Sequence, residues 1–237
     1  NWLGESGASL QKSPAPKARA AADFTPPKDP TPAERARKVD EILQRSVPLV
    51  STPVPDYLRS RGITATPPDS ILFLSKAYGE FGAMVALATD AMGEVLAVQL
   101  IYLTNESKKA PVDVVKRTNK AVGDWAEKSA VRLPGRDPLI LCEGIETALS
   151  IWQATGQETW ACLGISNIRR APVPENATVI FARDGDPPGS PADKQSAHAI
   201  EKLVARGVNV RVAVPPQDQD FNDVLVRQGA DAVRGAI

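Results

Sequence analysis

Three carboxylates in this sequence stand where a rigid backbone could bring them together. Glu143 follows the apolar run Leu139–Cys142, and Asp184 and Asp186 follow Thr178–Ala182 in "FARDGDPPG". Gly144 and Gly185 beside them permit sharp turns. In an extended turn Asp184 and Asp186, one residue apart, point the same way. Carboxylates gathered in one place repel unless a cation neutralises them. Hard oxygen donors with no His or Cys among them favour Mg²⁺ or Mn²⁺. Asp220 and Asp223, with Asp218 in "DQDFNDVL", could line the same rim. Alternatively they start a helix, where Asp is favoured as a cap.

The elements that must position these acids alternate strand and helix. "LILC", "TWACLG", "TVIFA" and "VNVRVAV" are short continuous apolar runs, as expected of parallel strands covered on both faces. Between them "GIETALSIWQATG" and "SPADKQSAHAIEKLVARG" have helical period and close on Gly. The fold class is therefore α/β, an open parallel four-stranded sheet with helices on both faces and right-handed crossovers. In such sheets ligands bind beyond the carboxyl ends of the strands. The terminal "DFNDVLVRQGADAVRGAI" is expected to form one or two helices.

Upstream lies a smaller α+β subdomain. It should hold a helix from Pro32 with Val39, Ile42 and Leu43 on one face, and a short helix ending at Gly62. An antiparallel hairpin should follow, turning near Asp90–Gly93. The expected boundaries are 1–32 for a linker or tail of an upstream module, 33–136 for the α+β subdomain and 137–237 for the α/β domain. The linker assignment rests on its Ala, Pro, Lys and Ser content.

The chain has 237 residues, 28 Lys+Arg against 28 Asp+Glu, and 43% hydrophobic residues, enough for a sizeable core. Its apolar runs fall short of a membrane span. Asn stands at position 1 with no signal-like segment after it, and an excerpt from a longer protein is expected. Two cysteines in apolar runs, Cys142 and Cys162, fit a reducing cytoplasm better than a disulfide framework. The single His198 is expected on an exposed helix face with no catalytic role. Neutrality overall hides one basic stretch. From Thr104 to Arg136 there are eight cations (Lys108, Lys109, Lys116, Arg117, Lys120, Lys128, Arg132 and Arg136) against four acids. Such a surface suits a single-stranded nucleic-acid backbone, though any one of these residues could equally face water.

The succession "LILCEGIETALS", "VIFARDGD" and "QDFNDVL" resembles the Toprim domain of bacterial and phage primases, a domain found also in topoisomerases and some nucleases. The resemblance covers residues 139 to about 225. Ahead of it, "YLRSRGI", "AVQLIYL", Lys108–Ala110 and "AVRL" resemble the module preceding Toprim in phage and plasmid primases. The chain departs from that pattern at Gln99 and Leu100, where many members have Arg-Thr, and at Arg183 beside the D-x-D. The resemblance implies that Glu143, Asp184 and Asp186 are catalytic and hold Mg²⁺ or Mn²⁺. It implies short RNA primers made from ribonucleoside triphosphates on a single-stranded DNA template. A replicative helicase, in cis or in trans, would be a partner. Glu143 would also serve as general base on the primer 3′-hydroxyl. Two alternatives are a Toprim nuclease, and a nucleic-acid-binding module that no longer turns over.

Overall fold

Local chemistry sets the start of the first helix, α1 (Pro32–Arg45). The Thr31 hydroxyl accepts from the Glu34 N–H, the Glu34 carboxylate accepts from the Thr31 N–H, and Pro32 occupies the first turn. The computed structural model describes residues 29–237, so the linker expected over 1–32 lies, as far as residue 28, outside the described residues. From Thr31 onward the chain forms one compact unit.

After α1 come the short α2 (Val54–Ser60) and an antiparallel sheet of β1 (Ile71–Tyr78), β2 (Phe81–Thr89), β3 (Val95–Leu103) and β4 (Lys116–Lys120), in that spatial order. The expected hairpin is its central pair, β2–β3. β1 and β4 flank it. One face of this sheet, with Leu74, Val85, Val98 and Leu100, packs on Val39 and Ile42 of α1. The opposite face, with Met84, Ala86, Ile101 and Leu103, joins the main core. Helix α3 (Trp125–Lys128) buries Trp125 in that core.

The second sheet contains β5 (Val131–Leu133), β6 (Arg136–Cys142), β7 (Gln157–Ala161), β8 (Thr178–Ala182) and β9 (Asn209–Ala213), ordered β5-β7-β6-β8-β9. Strands β6 to β9 are parallel, as expected, but β9 is an edge strand with Asn209, Arg211 and Val212 exposed and not covered on both faces. β5 adds an antiparallel edge on β7. The connecting helices are α4 (Ile145–Thr155), α5 (Ile165–Ile168) and α6 (Pro191–Ala205), and the chain ends in α7 (Phe221–Gln228) and α8 (Ala230–Ala236). Gly156 ends α4 in the left-handed conformation, where a side chain would be strained.

One apolar core runs through both sheets, from Tyr57 and Leu58 through Ile101 to Ile140, Leu149 and Phe221. The antiparallel module is thus fastened to the α/β domain by burial. Asn222 adds a polar fastening, donating to the Arg61 carbonyl and to the Ser150 hydroxyl. Cys142 and Cys162 are free and buried. Among the described residues no helix is long and apolar enough to cross a membrane.

Candidate active site

β6 and β8 are neighbours with Cys142 opposite Ala182, so the residues leaving both strands emerge side by side. Glu143 follows one, and Arg183, Asp184, Gly185 and Asp186 follow the other. The loop after β9 closes over this edge. The Gly185 N–H donates to the Gln219 carbonyl at 2.8 Å, and the Asp218 N–H donates to the Gly185 carbonyl at 2.7 Å. A Cβ on Gly185 would lie 2.3 Å from the Pro216 carbonyl oxygen, a backbone atom that cannot move aside. Gly185→Ala is therefore expected to push the D-x-D away from the β9 loop. It should cost roughly 1–3 kcal/mol by overpacking, read as a lower chemical-denaturation midpoint, with loss of any Mg²⁺ response. Wild-type stability and Mg²⁺ response in this variant would mean that the loop contact is not what sets the turn.

The acids of the cluster are only partly compensated, by Lys116. Burial pushes the Asp184 carboxyl up to about 7, and Glu143, Asp220 and Asp186 push in the same direction. Glu143 is raised too, by burial first and by Asp186, against the opposing pull of Lys116 and the Ile165 backbone N–H. One oxygen of Asp184, Oδ1, is buried without a hydrogen-bond partner. An orphaned anionic oxygen among like charges fits an added cation. Yet among the described residues no three acid, imidazole or thiol groups converge closely enough to enclose an ion. The donor set therefore suits a hard cation that keeps much of its shell as water or phosphate oxygens, the usual manner of Mg²⁺. Asp184 and Asp186 would hold it, with Glu143 coupled electrostatically to both.

The remaining sequence-predicted residues are distributed unevenly. Asp220 and Asp223 form a reciprocal capping box at the start of α7, the helix-start alternative. Asp220 nevertheless stays within electrostatic reach of Asp184. Lys109 and Lys116 do not lie loose on the surface: each ammonium group sits 3.0 Å from the Glu146 carboxylate. Lys108 and Lys120 are exposed. Arg117, one residue on from Lys116 in β4, falls on the other face of the sheet, beside Tyr78 and Tyr102. Arg132 stacks over the Trp160 ring at 4.2 Å and donates to the Thr89 carbonyl, so the fold commits it to β7 rather than to the acidic edge. Arg183 turns toward α6 and pairs with Asp193 at 2.6 Å, bracing the loop after the D-x-D. His198 is half-exposed beside Glu201.

Sequence reasoning missed Glu146. It is only 4% exposed, yet it binds two lysines and accepts from the Tyr57 hydroxyl at 2.9 Å. Burial alone would raise its carboxyl, but Lys116 and Lys109 outweigh that and hold it at about 2. One signal could have found it. "IETALSIW" is apolar or small on nearly every face, so a helix there is buried all round and its one acid must be paired.

Residues 138–231, which carry this sheet and its strand-end acids, match the Toprim domain family model. Residues 33–133 match a second model, described only as a domain of unknown function. No curated protein matches the chain. Among solved structures, the fold is similar to the Aquifex aeolicus primase (zinc-binding and RNA polymerase domains) at 16% identity and TM-score 0.54. That match covers 88% of this chain and 61% of that one. It is also similar to the DnaG catalytic core, at 15% identity and TM-score 0.55, covering 87% and 79%. A DnaG primase catalytic domain bound to single-stranded DNA matches at 15% identity and TM-score 0.54, covering 85% and 77%. The chain thus spans about three-fifths of the Aquifex primase structure. It carries a Toprim domain in a primase-like catalytic-core fold.

Proposed function

We propose that this chain is the catalytic part of a primase that makes short RNA primers on single-stranded DNA, in a phage- or plasmid-type replication protein. The observation that carries the proposal is the emergence of Glu143 and the Asp184/Asp186 pair from adjacent parallel strands, in a fold like that of DnaG catalytic cores. In the reaction a primer 3′-oxygen forms a bond to the α-phosphorus of a ribonucleoside triphosphate, and the bond from that phosphorus to pyrophosphate breaks. Glu143, with its proton affinity raised by burial, takes the hydroxyl proton. Asp184 and Asp186 would hold a divalent cation, Mg²⁺ or Mn²⁺, which would supply neutralisation of the phosphate charge. A replicative helicase would act beside this module. The test is incubation with ribonucleotides, Mg²⁺ or Mn²⁺ and single-stranded DNA. Short RNA products are expected; DNA cleavage without synthesis would make it a nuclease, and neither product would sink the enzymatic reading.

The template backbone should run along the exposed cations of the antiparallel module, Lys120 on the Toprim-facing side of β4 and Lys108 in the β3–β4 connection. Lys108→Ala/Lys120→Ala is expected to weaken single-stranded DNA binding and to flatten its log–log salt dependence by about 0.7 per lost phosphate contact. Arg117→Ala, on the opposite face, should leave both unchanged. If the double variant keeps the wild-type slope, or Arg117→Ala alone changes it, the track lies elsewhere.

A further inference from the structure

We propose that Glu146 is a positioning residue: it presents the Lys109 and Lys116 ammonium groups to the phosphates of the incoming nucleoside triphosphate. The inference rests on the primase reading above and names a part of its substrate site.

A buried carboxylate costs stability unless it is paired and hydrogen-bonded. Glu146 is fully provided for, with Lys109 and Lys116 at 3.0 Å each and the Tyr57 hydroxyl at 2.9 Å. The group is not neutral, however. Two ammonium ions against one carboxylate leave it with a net positive charge, one cation more than burial of Glu146 requires. The lysine side chains are 40% and 44% exposed while the Glu146 side chain is 5% exposed. The anchor is inside and the cations face out. Each ammonium carries three donors, so those not used on Glu146 remain for a solvent-side anion.

The placement suits a phosphate. Glu146 lies in the first turn of α4, three residues beyond Glu143, which stands in the turn between β6 and that helix. Lys116 is close enough to favour the ionised forms of both Glu143 and Asp184. A triphosphate entering at the acidic edge would therefore meet a cation pair already fixed in place. Free lysines lose side-chain freedom when they grip a ligand, and holding them in advance removes part of that cost. Lys109 follows β3, Lys116 opens β4, and Tyr57 belongs to α2, so Glu146 also ties the antiparallel module to the helix that follows Glu143.

The test is equilibrium binding of ATP with Mg²⁺, measured by calorimetry on the whole chain, beside primer-synthesis kinetics. Glu146→Gln should weaken ATP binding about tenfold, as expected for loss of charge-assisted positioning. The KM for nucleotide should rise with it while kcat changes little. In a Lys109→Ala/Lys116→Ala background the same Glu146→Gln change should have no further effect on ATP affinity, because no cations remain to be positioned. A purely structural role would lower affinity in both backgrounds, and that outcome overturns the proposal. If Glu146→Gln does not fold, Glu146→Asp decides: it keeps the charge but draws the cations back by a methylene, and should bind ATP several-fold more weakly. Wild-type affinity in Glu146→Asp overturns the proposal. Primers and ATP binding in the wild type with no effect at Glu146 would sink this inference alone. A wild type that neither binds ATP nor makes primers would sink the primase reading with it.

Discussion

Glu143→Gln is expected to cut primer synthesis by about 10²–10⁴-fold, the usual contribution of a positioned general base, while the fold and single-stranded DNA binding persist. The substitution keeps the shape of the side chain and removes its charge and basicity. Glu143 leaves a different strand from Asp184 and Asp186, so losing its charge should spare most of the cation affinity. Its proton affinity is already raised by burial, which moves a carboxylate toward the range useful for accepting a hydroxyl proton. DNA binding should hold or tighten as repulsion of the phosphates is relieved. The measurement is primer yield per enzyme under single-turnover conditions, beside a DNA-binding isotherm. Undiminished synthesis in Glu143→Gln would remove Glu143 from the chemistry.

Asp184→Asn should raise the stability of the metal-free protein and abolish its response to Mg²⁺. Asp184 is crowded by Glu143, Asp220 and Asp186, and one of its oxygens is buried without a partner. An amide of the same shape removes the charge that burial and these neighbours oppose. The displacement from 3.8 to about 7 corresponds to roughly 4 kcal/mol in full, and relief of roughly 2–3 kcal/mol is expected once screening by solvent is allowed for. For a chain of this length that corresponds to a Tm higher by about 4–12 °C. Added Mg²⁺ should raise the Tm of the wild type, since a ligand that binds only the folded state stabilises it, and should leave Asp184→Asn where it was. A lower Tm in metal-free Asp184→Asn, with the Mg²⁺ response retained, would place the cation site elsewhere.

The legible parts of this protein were those governed by local chemistry. The runs "LILC" and "TVIFA" read as parallel strands because strands covered on both faces are continuously apolar. "VNVRVAV" instead forms the parallel edge strand β9 with Arg211 and Val212 exposed, so the expected two-faced burial does not hold there. The glycine-closed helical periods between them required crossovers, and crossovers put Glu143 and Asp184 at one edge of the sheet. The hairpin around Asp90–Gly93 was equally local. β5 was not legible as an edge strand, since three residues carry no period of their own and its partner β7 lies some 25 residues onward.

Charge in the sequence says only how many cations are near one another along the chain. Lys108, Lys109 and Lys116 look alike there, and tertiary packing separated them. Docking of the antiparallel module onto α4 buried Glu146 and drew Lys109 and Lys116 onto it, while Lys108 was left in water. Pairing of β5 with β7 set Arg132 opposite Trp160, and alternation along β4 put Arg117 on the face away from Lys116. Composition, period and turn residues determined that acids would stand at the ends of parallel strands. Which cations face those acids, and which carboxylate holds them there, was decided by contacts such as Tyr57 with Glu146, 89 residues apart. A buried ion pair is specified only when two surfaces meet and exclude water from both partners.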